Sequence, residues 1–539
     1  MCGILFVTKT KDVEATKKMS KKMSHRGPDE SGIYISPKGH VMHHERLSIM
    51  DLSSGTQPIQ GTSSAYVIHN GEIYNHKELK KTVLRDFSFR TSSDSEVIVK
   101  LYEKYGTNFC NMLDGVFAFV VVDGETFMAG RDPIGVKPLY YGKDKDGRMY
   151  FASEMKAISD VCVEFDAFPP GYYYTPEQGF VKYFKPKWED SKIAKQEVDF
   201  SIIRKKLTQA VEKRLMSDVP LGVLLSGGLD SSLVSAITAR LFKNTGQKLH
   251  SFSVGLKNSP DLLAAKKVAD FLGTEHHEVN FTIEEGIKAI EKIIWHLESY
   301  DVTTIRASTP MYFLSKAIAE TNIRVVLSGE GADELFGGYL YFENAPSLQD
   351  FQKETIDRVK RLSKADCLRA DKSTMAHGIE ARVPFLDKEF IDAIFKIKPE
   401  DKKQDSKIKK PEKYILRKAF DDKENPYLPE SILWRQKEQF SDGVGYSWID
   451  SLIDYCNKAV SNHEFAQAKK MFPYNTPTTK EAFYFRKIFE KFYPQQPAIK
   501  SVEKWIPKWQ KSEDPSGRVC EVHEDRTDKL GHEKPLTAN

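Results

Sequence analysis

Two domains of different class are written into this sequence: an α+β domain with antiparallel sheet, then an α/β domain with a doubly wound parallel sheet. Three observations predict that order. Residues 2–185 are rich in short β-branched and aromatic runs punctuated by Gly, Pro, Asn and Asp. Residues 186–200 are charged and lose all periodicity, which is the composition of a linker. From residue 201 to about 510 the text becomes strand, turn and helix in repetition.

In the first domain, residues 65–69, 116–122 and 149–152 read as strands, and 95–105 as a helix with Val97, Ile98, Leu101 and Tyr102 on one face. In the second, 219–225 reads as a buried strand, followed by Leu233, Val234, Ile237 and Leu241 at helical spacing. A second strand, 249–254, precedes Ser259-Pro260-Asp261, a capped helix start with proline in its first turn. A third, 323–327, runs into S-G-E-G-A-D-E. Ligands of such a sheet sit beyond the carboxyl ends of its strands. The lysine-heavy stretch 396–413 reads as a solvated loop, and 511–539 as a polar, flexible tail.

The 539 residues are 40% hydrophobic and 29% charged, enough apolar chain for large cores. The longest apolar run, 116–122, is too short to span a bilayer. Eighty basic against 76 acidic residues leave a net +4, which provides no nucleic-acid or membrane footprint. Six scattered cysteines form no C-x-x-C pair, which argues against zinc or a disulfide framework. With no charged-then-apolar leader, the expected setting is reducing and cytoplasmic.

Chemistry begins at the chain start, Met1-Cys2-Gly3-Ile4. Once Met1 is removed, Cys2 carries both a thiol and an α-amine able to take the thiol proton. A lone cysteine there is more often an ordinary strand residue, but its company changes the odds. The Asn70 amide and Gly71 N–H can form an oxyanion hole. The Arg46 fork can clamp a carboxylate, and Asp94 can accept from an ammonium group. Taken singly, Arg46 or Asp94 is as well explained by a surface ion pair.

The strings MCGI, H-R-G-P-D (25–29), R-L-S-I (46–49), N-G-E-I-Y-N (70–75), S-D (93–94) and R-D-P-I-G-V-K-P-L-Y-Y (131–141) together resemble the class II glutamine amidotransferases. That resemblance implies an αββα N-terminal-nucleophile fold. It implies that Cys2 attacks the glutamine side-chain amide while Asn70 and Gly71 hold the oxyanion. Arg46, Leu47, Ser48, Ile49, Met50, Glu72 and Asp94 would then surround glutamine.

Between the strand ending near Leu225 and its helix lies Ser226-Gly227-Gly228-Leu229-Asp230-Ser231-Ser232. Paired glycines let backbone amides turn inward as an anion nest at a helix N-terminus, and Asp230 is a hard oxygen ligand for Mg²⁺. A Gly-Gly turn alone is commonplace; the whole string in strand–turn–helix context is more specific. It lacks the G-x-x-x-x-G-K-[ST] spacing. It resembles the pyrophosphate loop of ATP pyrophosphatases, which implies AMP and pyrophosphate as products.

The strings at 250–256, 298–310, 328–339, 375–387 and 435–450 complete a resemblance to the asparagine synthetases. By that resemblance ATP meets Leu225, Ser226, Gly227, Gly228, Asp230, Ser231, Ser232, Val254, Ser328 and Gly329. Thr303, Thr304, Arg306 and Glu330 surround aspartate and its adenylate, Lys437 offsets phosphate charge, and Asp230 with Asp333 binds Mg²⁺. The implied reaction joins aspartate, ATP and glutamine, with no organic prosthetic group and no nucleic-acid or membrane partner; a homodimer is a family expectation. Departures are small: Ala332 stands where many relatives have Ser, and Ser95 where Cys is common. Alternatives are another amidotransferase or a β-lactam-forming relative with the same layout, or an inactive scaffold. A neutral ammonia carrier path is also implied: a dry passage between domains from Cys2 to the adenylate.

Overall fold

Alternation decides the architecture of the first 185 residues. The computed structural model describes residues 2–243, 246–437 and 440–510; Met1, Glu438, Gln439 and the tail expected at 511–539 lie outside the described residues. Twelve strands appear there: β1 (Gly3–Val7), β2 (Glu30–Ile35), β3 (Val41–Arg46), β4 (Ile59–Gln60), β5 (Tyr66–Ile73), β6 (Gly115–Asp123), β7 (Thr126–Arg131), β8 (Tyr140–Lys143), β9 (Met149–Ala152), β10 (Glu164–Ala167), β11 (Tyr172–Thr175) and β12 (Gly179–Lys182). They form two antiparallel sheets, ordered β10-β8-β9-β1-β3-β2 and β12-β11-β7-β6-β5-β4.

Successive side chains on a strand point to opposite faces. Ile4 and Phe6 of β1 therefore meet Ala118, Val120 and Val122 of β6 in a core between the sheets. Phe117, Phe119 and Val121 turn outward onto Val97, Ile98 and Leu101 of the helix Glu96–Tyr105. Leu5 and Val7 turn the other way, onto Met19 of the helix Val13–Lys21. Helix, sheet, sheet, helix is the αββα order that the resemblance implies.

Residues 186–200 contain two one-turn 3₁₀ helices, Lys187–Glu189 and Ser191–Ile193. Trp188 is buried against Phe395, ring centroids 5.0 Å apart. The Gln196 amide donates to the Lys396 carbonyl at 2.8 Å, so this charged stretch lies against the second domain.

The second domain carries a parallel sheet of β13 (Leu221–Leu224), β14 (His250–Gly255), β15 (Glu275–Asn280), β16 (Val325–Leu327) and β17 (Glu380–Arg382), ordered β15-β14-β13-β16-β17. The chain winds outward from β13 to one edge, returns, and continues from β16 to the other. The reversal falls between β13 and β16, and a crevice opens beyond their carboxyl ends. Helices Leu229–Phe242 and Pro260–Leu272 follow β13 and β14.

One expectation is corrected. The stretch 396–413 is not a solvated loop throughout, because several of its lysines have partners. Lys402 is fully buried, donating to Gln352 Oε1 at 2.8 Å and lying 5.2 Å from the centre of the Phe395 ring. Lys403 donates to the Glu343 carbonyl, and Lys413 is buried between two aspartates. Lysine count alone does not reveal these partners. No helix among the described residues is long and apolar enough to cross a membrane.

Candidate active site

Cys2 is buried just ahead of β1. Its backbone nitrogen donates to Asn70 Oδ1 at 2.9 Å, and its Sγ lies 3.9 Å from the Leu47 carbonyl oxygen. Burial pushes the thiol up from its ordinary value. Asn70 Nδ2, by contrast, is buried without a partner. An orphaned donor costs about 1–3 kcal/mol, a cost that a ligand oxygen relieves. Gly71 has φ +145°, and a Cβ there would stand 2.0 Å from the Val116 carbonyl oxygen, so no other residue fits this turn of β5 against β6.

Around Cys2, Arg46 already holds a carboxylate. Its Nη1 donates to Glu30 Oε2 at 2.8 Å and its Nη2 to the carbonyls of Asp51 and Met50. Glu30 also accepts from Thr56 Oγ1, and these hydrogen bonds hold its carboxyl below the usual range. Leu47 and Ile49 are buried in the interdomain core, and the Ser48 amide donates to Asp29 Oδ2. Asp94 is buried, accepts from the Ile73 amide at 2.7 Å, and is raised by burial. Glu72 pairs with Arg382 at 3.2 Å while its Oε2 has no partner; burial and then Glu380 push its carboxyl well up.

The crevice between β13 and β16 gathers most of the residues expected around ATP and aspartate. Leu225, Ser226, Gly228, Asp230, Ser231, Val254, Thr303, Ser328, Gly329, Glu330, Asp333 and Lys437 all line one cavity. Ser231 Oγ accepts from the Ser226 amide and lies 2.9 Å from Ser226 Oγ, which pins the loop onto the helix start. A Cβ at Gly329 would sit 2.7 Å from the Ser231 nitrogen, so only glycine lets the two loops touch. The Leu225 amide donates to the Phe252 carbonyl at 2.8 Å.

Charge is concentrated on one wall. Lys413 Nζ lies 2.5 Å from Asp230 Oδ2 and 2.7 Å from Asp333 Oδ1, while Lys437 Nζ lies 2.7 Å from Asp333 Oδ2. Burial disfavours the Asp333 charge, but the two lysines hold its carboxyl well below normal. Asp230 is raised by burial despite Lys413. Glu330 pairs with Arg369 at 2.7 Å and is likewise raised by burial. Two buried oxygens lining the cavity, Asp230 Oδ1 and Thr303 Oγ1, have no partner.

Four expected residues do not line the cavity. Gly227 gives its carbonyl to Arg435 at 3.1 Å. Ser232 is fully buried behind the loop. Thr304 caps its helix with Asp301, its Oγ1 2.8 Å from Asp301 Oδ2. Arg306 makes a buried two-point pair with Glu481, Nε at 2.8 Å and Nη2 at 2.5 Å.

Among the lining residues that sequence reasoning missed are Lys413, Arg369, Asp366 and Arg435. Arg369 sits a short step before the 375–387 string, and Lys413 at the end of a lysine run, so neither carried a local signal. It also missed Arg382, which joins the two cradles. Its guanidinium pairs with Glu72 and Glu380, and its backbone carbonyl accepts from the Ser328 amide at 2.8 Å.

A buried cysteine cradle, joined through the edge strand β17 to a charged crevice beyond a parallel sheet, is the arrangement of a protein with two sites. Comparison with known proteins refines that class. Residues 1–180 match the family model described as glutamine amidotransferase domain, and residues 202–355 and 343–513 match that described as asparagine synthase. An asparagine synthetase [glutamine-hydrolyzing] of Oryza sativa is 49% identical over 100% of this chain and 96% of its own length. One from Arabidopsis thaliana is 50% identical over 99% and 98%, and a probable one from Dictyostelium discoideum 51% over 97% and 99%. The chain belongs to the asparagine synthase family.

Proposed function

We propose that this chain synthesises asparagine from aspartate and ATP with nitrogen taken from glutamine. The observation that carries the reading is the shared strand β17: Arg382 touches Glu72 of one cradle and Ser328 of the other. Two reactions that exchange an uncharged, volatile intermediate need such adjacency.

At the first cradle, the Cys2 thiol passes its proton to its own α-amine, which Asn70 Oδ1 holds in place. The sulfur attacks the glutamine amide carbon, and Asn70 Nδ2 with the Gly71 N–H receives the oxyanion. Ammonia leaves with that proton, and water cleaves the thioester to glutamate. Arg46 and Asp94 hold the two ends of the amino acid, Glu30 yielding its place on Arg46. Glu72 stands near the substrate amine.

At the second, Ser226, Gly228 and Ser231 seat the pyrophosphate and Leu225 and Val254 flank the adenine. The aspartate side-chain carboxylate attacks the α-phosphorus and pyrophosphate departs toward Lys437. Asp230 and Asp333 fit Mg²⁺: they are hard oxygen donors, and Asp230 Oδ1 is buried without a partner. Held there, the ion supplies further charge neutralisation for the phosphates. Thr303 and Glu330 border the aspartyl adenylate, and Arg306 positions that helix through Glu481. Ammonia then attacks the acyl carbon and AMP leaves. Free ammonia in water near neutral pH is mostly protonated and has no lone pair, so the passage between the cradles must be dry; the buried Leu47, Ile49 and Val116 lie in the core that spans both domains. The five buried free thiols among the described residues suit a reducing cytoplasm.

The test is glutamine labelled with ¹⁵N at its amide. The label is expected in asparagine, with AMP and pyrophosphate formed in step. Label confined to free ammonium, or ADP in place of AMP, sinks the reading.

A further inference from the structure

A second constellation lies at the opposite end of the parallel sheet from the ATP crevice. β14 and β15 run parallel in the register His250↔Glu275 and Phe252↔His277. Because alternate residues share a face, His250, Glu275 and His277 project together from the amino ends of the edge strand β15 and its neighbour β14. His250 Nδ1 and His277 Nε2 are 3.0 Å apart, and Glu275 Oε1 lies 3.8 Å from the first and 4.0 Å from the second. All three side chains are partly exposed, at 27%, 33% and 46%, so water can complete a coordination shell. The intervening His276 turns to the other face, where its two ring nitrogens meet Ser251 Oγ and Ser253 Oγ.

We propose that His250, His277 and Glu275 form a surface binding site for a borderline divalent transition metal such as Zn²⁺ or Co²⁺. Imidazole nitrogens bind such ions at about 2.0–2.1 Å, and two of them 3.0 Å apart subtend an angle of about 95° at the ion. That is close to the spacing an occupied site needs. The Glu275 carboxylate must swing inward by a fraction of an ångström, which a half-exposed side chain does freely. The donor set of two nitrogens and one oxygen selects zinc, cobalt, nickel or copper over magnesium and calcium. His277 is also held in orientation: its ring stacks on Phe252 (centroids 4.7 Å, 14°) and meets His250 edge to edge, the two planes 20° apart. Without metal, one imidazole N–H donates to the other ring's lone pair. On binding, the donor ring moves that proton to its other nitrogen and the two partly exposed rings tilt off the N···N line, so both lone pairs reach the ion and the ligands stay neutral.

The experiment titrates the full-length, untagged chain with Co²⁺ and with Zn²⁺ in magnesium-containing buffer. The expected result is one saturable site, visible as Co²⁺ d–d absorption without a thiolate charge-transfer band, and a metal-dependent rise in Tm. His277→Ala and His250→Gln should each weaken binding by about tenfold or more, with Glu275→Gln weakening it less. Far-UV circular dichroism checks that each variant is folded. Cys2→Ala should bind as the parent does. Unchanged binding in both folded histidine variants, a thiolate charge-transfer band, or a Tm indifferent to metal overturns the proposal.

Discussion

On the proposed reading Cys2 and Asn70 divide the labour at the first cradle, and their replacement should separate two activities. Cys2→Ala should abolish asparagine formation from glutamine yet leave formation from ammonium salts, because the nucleotide crevice is untouched. Loss of both in a folded variant would refute the division. Asn70→Ala removes one oxyanion donor and the acceptor that holds the Cys2 amine, so glutaminase kcat should fall by about 10²–10³. Glu30 makes a subtler case. Its carboxylate sits on the Arg46 guanidinium, where the glutamine carboxylate is expected, and glutamine must displace it. With Arg46 buried and Glu30 open to solvent the pair is worth about 1 kcal/mol, so Glu30→Ala should lower the glutamine KM by roughly fivefold. Ammonia-dependent synthesis should not move. A higher KM would show that Glu30 helps seat glutamine.

At the level of elements, what was legible in the sequence was whatever repeats locally. The apolar run 116–122 gave β6, the helical spacing of Val97, Ile98, Leu101 and Tyr102 gave its helix partner, and the Ser226–Ser232 string between apolar strand and helix located the crevice. What was illegible is long-range pairing, which leaves no local period. Lys402 and Lys413 sit in one lysine run, yet one is buried on an aromatic ring and the other bridges two aspartates at helix starts. Lys402 yields a stability prediction with a definite sign. Burial lowers its pKa from 10.5 to about 7. The unfolded chain therefore binds the proton more tightly, and the penalty is complete below pH 7 and fades as pH rises toward 10.5. Lys402→Met should raise stability at neutral pH by about 1–3 kcal/mol, after subtracting the cost of leaving Gln352 Oε1 unpaired. Melting curves at neutral pH and near pH 10 check this: the advantage should shrink or vanish at the higher pH. An equal gain at both would mean that Lys402 enters the fold charged.

Across the whole molecule, buried charge is spent at the seam between domains. Arg26 reaches across it, its Nη1 2.8 Å from Asp371 and 2.9 Å from Glu154, and its Nε donates to the Cys2 carbonyl. Lys372 of the second domain pairs with Glu298 and donates to Tyr140 of the first at 3.0 Å. Removing one partner of such a pair costs about 3–5 kcal/mol, because it leaves the other charge buried and alone. Arg382 belongs to this seam but touches both cradles, so its loss should do more than destabilise. Arg382→Met keeps apolar bulk while removing the bonds to Glu72, Glu380 and the carbonyls of Arg214 and Met216. If the seam keeps ammonia from water, each half-reaction should survive in this variant while their coupling fails. Glutamate and asparagine, expected one to one in the parent, should then diverge, with glutamate in excess and the missing nitrogen recovered as free ammonium. Added ammonium should restore asparagine formation toward the parent rate. A folded variant that still forms the two products in equal amounts would place the passage elsewhere, away from β17.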